Sequence, residues 1–128
     1  MRALLDTHAF LWWVTDDYRL SPQARNIIDD GRNEIYFSAA SGWEIAIKAR
    51  LGRLDVPADL ERFMADQIFE NGFRTLAIEL SHALSVYGLE DIHRDPFDRM
   101  LVAQGQIENL PIISCDSVLA GYGAELIW

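Results

Sequence analysis

Four acids in this chain sit where side chains can do chemistry: Asp6, Glu44, Asp98 and Asp116. Asp6 follows the apolar run Ala3-Leu4-Leu5, and Asp116 follows Leu110-Pro111-Ile112-Ile113. Glu44 and Asp98 fall in the opening turns of two expected helices, within Ser41-Gly42-Trp43-Glu44 and Asp95-Pro96-Phe97-Asp98. A hard divalent cation such as Mg²⁺ takes oxygen ligands, keeping several waters while it binds a few carboxylates. With no histidine or cysteine cluster beside them, these acids point to Mg²⁺ or Mn²⁺ rather than zinc. One or two such ions can activate a water, orient a phosphodiester and stabilise a leaving 3′ oxygen, so no side-chain nucleophile is needed. Metal-dependent phosphodiester hydrolysis is the expected chemistry.

Each acid also has a purely structural reading. Asp6 can cap a first helix. Ser41 and Glu44 can form a capping box, and Glu44 stands four residues before Lys48, the favourable order for a helical ion pair. Asp95 is a natural cap before Pro96, which leaves Asp98 in the first turn, where the helix dipole favours negative charge. Asp116 can cap the turn after its strand. The set weighs differently from its members. Like charges gathered at one place raise one another's pKa unless a cation neutralises them, and a fold without a site has no reason to converge four.

The elements that must position these acids read as α/β, with short apolar runs alternating with amphipathic segments. Strands are expected at Ala3 to Leu5, Ile35 to Phe37, Phe73 to Leu76, Leu110 to Ser114 and Leu126 to Ile127. Asp6 or Thr7 opens a helix through Trp13, and Ser21-Pro22 opens one that Gly31 ends. Ser38 or Ser41 starts the helix that reaches Leu51, Val56-Pro57 begins another that Asn71-Gly72 breaks, and Ser81 to Tyr87 forms a short one. Asp95-Pro96 starts a helix reaching Asn109, and Ser117 to Ala120 makes a helical turn. Acids at strand ends and helix starts can meet at one edge of a parallel sheet, where such folds bind ligands.

At 128 residues, half of them hydrophobic, the chain suits one ordinary domain, residues 1–128, with ample core. No apolar run approaches the ~20 residues of a membrane helix, and the start lacks the features of a signal peptide. The single Cys115 permits no internal disulfide, which fits a reducing cytoplasm. A net charge of −9 opposes broad adhesion to nucleic acid. A nucleic-acid substrate must therefore be held locally, with Arg94, Arg99, Lys48, Arg50 and Arg53 as candidate rim cations.

Leu4-Leu5-Asp6-Thr7-His8-Ala9-Phe10-Leu11-Trp12-Trp13 resembles the opening of PIN-domain ribonucleases, in particular the VapC-type toxins of bacterial toxin–antitoxin pairs. Ser41-Gly42-Trp43-Glu44-Ile45-Ala46-Ile47-Lys48 resembles the family's second-acid helix. The run from His93 through Asp98 to Gln104 resembles its third motif, and Ile113-Ser114-Cys115-Asp116 its fourth. The motifs come in the family's order and span nearly the whole chain. The resemblance implies a central parallel sheet of about five strands flanked by helices. It also implies Mg²⁺- or Mn²⁺-dependent endoribonuclease activity in the cytoplasm, a homodimer, and a VapB-type antitoxin whose C-terminal segment lies near the acids. On this reading Asp6, Glu44 and Asp98 are the main metal-binding acids and Asp116 completes the site. Asp95 is a cap first and a support for the ligands second. A non-catalytic PIN-like module that binds RNA or a partner is the alternative.

Several neighbours tempt. Thr7 is placed to hydrogen-bond Asp6 or a water at the ion. Trp12 is a candidate substrate or partner contact; with Trp13 pointing about 100° away, one of the pair is expected in the core. Trp43 is expected to wall the core, and Trp128 to seal the last strand. His8 and His93 could move a proton, though a metal-activated water requires neither. Arg94 and Arg99 are candidate phosphate contacts, with a surface ion pair as the rival reading for Arg99. Cys115 is expected as a buried spacer whose thiolate the nearby carboxylates disfavour.

Overall fold

Ala3, Leu4 and Leu5 are inaccessible to solvent, the condition of a parallel strand covered on both faces. The computed structural model describes residues 1–128. Strand β1 (Arg2–Leu5) lies between β2 (Glu34–Ser38) and β4 (Ile112–Ile113), with β3 (Arg74–Leu76) and β5 (Leu126–Ile127) at the edges. All pairings are parallel, so the expected α/β fold with a five-stranded parallel sheet is the one present. Around it run α1 (Thr7–Val14), α2 (Pro22–Asp29), α3 (Ala39–Arg50), α4 (Leu60–Glu70), α5 (Leu80–Ser85) and α6 (Pro96–Glu108). Short 3-10 turns cover Val86–Gly88 and Ser117–Tyr122.

The pleat divides the core. Ala3, Leu5 and Ile113 pack in one layer with Ala9, Phe10, Ala24 and Ile28, while Leu4 and Ile112 pack in the other with Leu101, Val102 and Leu119. Alternate residues of a strand point to opposite faces, and each buried Leu or Ile contributes ~1.5–3 kcal/mol. α6 lies close against β4 at Gly105, where a Cβ would stand 3.0 Å from the Leu110 carbonyl oxygen. No helix is long and apolar enough to cross a membrane.

Some element bounds differ from the sequence reading. α4 starts at Leu60, because Asp59 takes the cap and accepts from the Arg62 N–H at 3.2 Å; Val56 and Pro57 stay outside the helix. β4 shrinks to Ile112–Ile113, since Pro111 has no N–H to donate and the Leu110 N–H bonds the Gly105 carbonyl at the helix end. α3 starts at Ala39 under a Ser38 cap, the earlier of the two expected starts, which puts Glu44 in the second turn rather than the first.

The strand order β3-β2-β1-β4-β5 means that the chain winds outward from β1 to β3 and then returns to the other side of β1. In open α/β sheets the ligand crevice lies outside the carboxyl ends of the strands where the order reverses, here between β1 and β4. Asp6 directly follows β1, and Ser114-Cys115-Asp116 directly follow β4. α1 and α3 leave the carboxyl ends of their strands. α6 feeds back into the amino end of β4, so its first turn lies at the same edge.

Candidate metal centre

Backbone register builds one half of the site. Leu5 pairs with Ile113, so Asp6 and Ser114 leave the sheet side by side, and the Asp6 N–H donates to the Ile113 carbonyl at 3.1 Å. The Asp6 carboxylate accepts from the Ala9 N–H at 2.7 Å, capping α1, and is bonded by the Ser114 hydroxyl. That hydroxyl also accepts the Asp116 N–H at 3.0 Å, while Asp116 accepts from the Val118 N–H at 3.0 Å. Asp6 is only 6% exposed. Burial pushes its carboxyl upward, with Asp116 adding to the shift and the Ser114 and Ala9 bonds opposing it. Capping and site-building are therefore not rival roles at Asp6; one carboxylate end-stops the helix while facing another acid.

The other half comes from helices. The Ser38 hydroxyl caps α3 by accepting the Ala40 N–H at 3.0 Å, so the expected Ser41–Glu44 capping box does not form. Ser41 and Glu44 turn inward, Glu44 to 3% exposure. Thr7 Oγ1 lies 2.6 Å from Glu44 Oε1 and 2.9 Å from Ser41 Oγ; with one proton, it donates to the carboxylate and accepts from Ser41. Thr7 thus serves Glu44 rather than Asp6. The second Glu44 oxygen accepts from the Lys48 ammonium, the expected pair one helical turn on. Both Glu44 oxygens are held by the chain's own donors.

Asp95 caps α6, accepting from the N–H groups of Phe97 at 2.8 Å and Asp98 at 3.3 Å. Asp98 Oδ2 stands 2.8 Å from His93 Nε2. Burial raises the Asp98 pKa to about 6, with Asp95 and then Glu44 adding repulsion and His93 partly opposing them. Donor atoms of His93, Asp98 and Asp116 lie within 4.8 Å of one another, the one such grouping in the chain. Asp6 and Glu44 are outside it but influence it electrostatically, Asp6 through Asp116 and Glu44 through Asp98.

Sequence reasoning undervalued His93, read Ser41 only as a cap, and passed over Ser114 and Tyr122. The two serines had a readable signal, one turn before Glu44 and two residues before Asp116. His93 had a weaker one, since Asp95-Pro96 ends the loop that turns it back. Its N–H donates to Tyr122 Oη at 2.7 Å. Arg99 donates to the carbonyls of Glu90 at 2.8 Å and Val86 at 3.2 Å, and to Tyr122 Oη at 3.2 Å. Arg99 therefore makes no ion pair and is not free to meet a phosphate; it clamps the loop that carries His93. Arg94, by contrast, is exposed.

Three further expectations fail for geometric reasons. Trp43 is 59% exposed and meets Phe97 edge-on at 5.2 Å instead of walling the core. The inward face of α3 carries Ala40, Ser41, Glu44 and Ile45, which leaves Trp43 off it. Cys115 is exposed, because Ser114 takes the inward position after β4; partial burial, then Asp6 and Asp116, hold its thiol pKa up. Trp12 and Trp13 are both half-buried rather than divided between core and surface. Trp13 donates to Asn71 at 2.9 Å, while Trp12 packs edge-on with Trp128 at 5.7 Å beneath the Arg19 guanidinium. Trp12, Lys48 and Arg53 line a groove of about 550 Å³ that reaches Thr7 and Glu44.

The donor set suits a hard divalent cation. Carboxylates crowd one edge, and the repulsion that lifts Asp98 is the kind a bound cation relieves.

The chain matches the PIN domain family over residues 3–124. Over 60 residues it is 40% identical to Ribonuclease VapC16 of Mycobacterium tuberculosis, a stretch covering 47% of this chain and 43% of that protein, so less than half of the relative is matched. Its fold is similar to that in VapBC2 from Rickettsia felis bound to a DNA fragment from their promoter, with TM-score 0.70 and 12% identity over 99% of this chain and 98% of the other. It is also similar to FitAcB from Neisseria gonorrhoeae, with TM-score 0.62 and 17% identity over 100% of this chain and 97% of the other. On its sequence match across nearly all residues, the chain belongs to the PIN-domain family.

Proposed function

We propose that the protein is a Mg²⁺- or Mn²⁺-dependent endoribonuclease acting as the toxin of a VapBC-type toxin–antitoxin pair. The observation that carries this reading is the meeting of Asp98 and Asp116, from a helix start and a strand end, within 4.8 Å at the reversal of strand order where Asp6 also emerges. Asp6, Glu44, Asp98 and Asp116 would hold the ion. When bound, the ion supplies an acidified water for in-line attack and positive charge for the leaving 3′ oxygen. Ser114 and the Ala9 amide orient Asp6, and Asp95 sets the first turn that presents Asp98. Lys48 would have to leave Glu44 for that carboxylate to become a ligand.

RNA as substrate is supported by the similarity to Ribonuclease VapC16 and by what lines the rim. With a net charge of −9 the chain must hold nucleic acid locally, and exposed Arg94 and Trp43 offer a phosphate contact and a stacking face beside the acids. An antitoxin partner is supported by an apolar groove of about 910 Å³ between α4 and the edge strand β3, lined by Phe37, Met64, Ile68, Phe69 and Phe73. A homodimer and a cytoplasmic setting complete the reading. The alternative, a PIN-like module that binds without cutting, is favoured by one observation: both Glu44 oxygens are satisfied within the chain.

The deciding experiment is incubation of total RNA with purified, antitoxin-free protein in Mg²⁺, Mn²⁺ or EDTA, beside Asp6→Asn. Discrete fragments that need metal and vanish in the variant support the nuclease. Intact RNA with folded protein moves the reading to the binding module.

A further inference from the structure

His93 is held more firmly than a loop histidine needs to be. Its main chain is held at both polar groups: the N–H donates to Tyr122 Oη at 2.7 Å, and the carbonyl accepts from the same hydroxyl at 3.3 Å and from Arg99 at 3.5 Å. Tyr122 belongs to the 3-10 turn that Asp116 caps, and Arg99 is the residue after Asp98. The loop carrying His93 is therefore anchored to the two elements that supply the neighbouring carboxylates. The ring is delivered to a set place, with Nε2 2.8 Å from Asp98 Oδ2 and within 4.8 Å of an Asp116 oxygen.

That spacing matters chemically. In an octahedral shell with metal–ligand bonds of ~2.1 Å, adjacent ligand atoms lie about 3 Å apart. His93 Nε2 and Asp98 Oδ2 already stand near the length of such an edge. Asp116 needs only a small approach to share the same ion.

We propose that His93 Nε2 is a ligand of the catalytic ion, together with Asp98 and Asp116, so that this centre has a mixed nitrogen–oxygen donor set rather than carboxylates alone. The inference rests on the metal-dependent reading above. Its consequence is selectivity. Imidazole is a good ligand for borderline transition-metal ions, whereas Mg²⁺ demands hard oxygen donors. The site should then favour Mn²⁺ over Mg²⁺ more strongly than carboxylates alone would make it.

A histidine that only hydrogen-bonds Asp98 would give the same metal-free geometry, so the test must separate ligation from orientation. His93→Gln does so, because the Gln amide can still donate to Asp98 but offers no imidazole nitrogen. The full chain would be loaded with Mn²⁺ and read by pulsed EPR for modulation from a directly bound ¹⁴N, alongside calorimetric titration with Mn²⁺ and with Mg²⁺. Wild type should show the nitrogen modulation and His93→Gln should lack it. Mn²⁺ affinity should fall about tenfold or more, with a smaller change for Mg²⁺. His8→Gln should keep the modulation, and its loss there would move the nitrogen to His8 and overturn the assignment. Mn²⁺ bound by wild type without nitrogen modulation, and still lost in Asp98→Asn, would overturn the role of His93 while leaving the carboxylate centre standing. Absence of any Mn²⁺ binding would overturn both.

Discussion

The two halves of the candidate centre are built by different physics. At the strand ends, Asp6 and Asp116 are placed by main-chain pairing: the register that matches Leu5 to Ile113 puts Asp6 beside Ser114, and one hydroxyl ties both acids together. On the helices, Glu44 and Asp98 are placed by side chains distant in sequence or loop-borne, Thr7 for the one and His93 for the other. The strand half is bound to backbone, with Asp6 buried and Asp116 partly open to solvent. The helix half holds the carboxylate lifted to about 6 by burial and its acidic neighbours, and the one carboxylate paired to an ammonium. Register gives a centre its rigidity, and the helix side holds the groups whose partners must exchange when an ion arrives.

The largest expected effect falls on the strand half. Asp6→Asn should lower metal-dependent RNA cleavage by roughly three orders of magnitude, because several kcal/mol of charge stabilisation is removed. Circular dichroism should stay unchanged, since Asn still caps helices. Retention of a tenth of the activity would break the view that the strand ends form the electrostatic core of the site.

Thr7→Val tests the cross-link between the halves. It leaves the buried Glu44 carboxylate without its 2.6 Å donor and should cost ~1–3 kcal/mol in urea unfolding. It should also weaken Mn²⁺ binding by freeing Glu44 to move. A neutral result would mean that Lys48 alone holds Glu44.

Asp98→Asn sharpens the contrast through pH. With a folded-state pKa of about 6 against 3.8 for an unperturbed aspartate, ionised Asp98 opposes folding of the metal-free protein. The wild-type contribution is full below about 3.8 and is lost as pH rises through about 6. In EDTA the Asn variant should therefore be more stable than wild type at pH 7.5, with the advantage fading towards pH 4.5. Added Mn²⁺ should reverse the order at pH 7.5 by stabilising wild type alone. An advantage that did not change with pH would point to packing rather than charge.

Cys115→Ser should do least. The exposed thiol makes none of the bonds that hold Asp6 or Asp116, so unfolding should shift by less than ~0.5 kcal/mol. Cleavage should match wild type.

Much of this was readable in the residues because local rules carried it. Ala3-Leu4-Leu5 reads as a buried strand, Ser21-Pro22 and Asp95-Pro96 read as helix starts, and the four acids mark element junctions. What misled was competition between equally good local options. Ser38 and Ser41 both make caps, and Ser38 prevails because it also donates to buried Gln104 at 2.6 Å, 66 residues away. Once it does, Glu44 moves inward and Trp43 outward, reversing the expectation for the tryptophan. Arg99 looked like a surface cation because nothing local shows that five oxygens surround it.

By itself the sequence determined the α/β alternation, the strand and helix starts, and which acids stand at junctions, since turns, caps and pleats are decided within about four residues. Only the tertiary structure decided which donor each acid receives, that Thr7 serves Glu44 across 37 residues, and that His93 joins Asp98 and Asp116. The reason is physical. A hydrogen-bond partner is chosen by atoms within about 3 Å in space, and for these residues that neighbourhood exists only after β1 has paired with β2 on one side and β4 on the other.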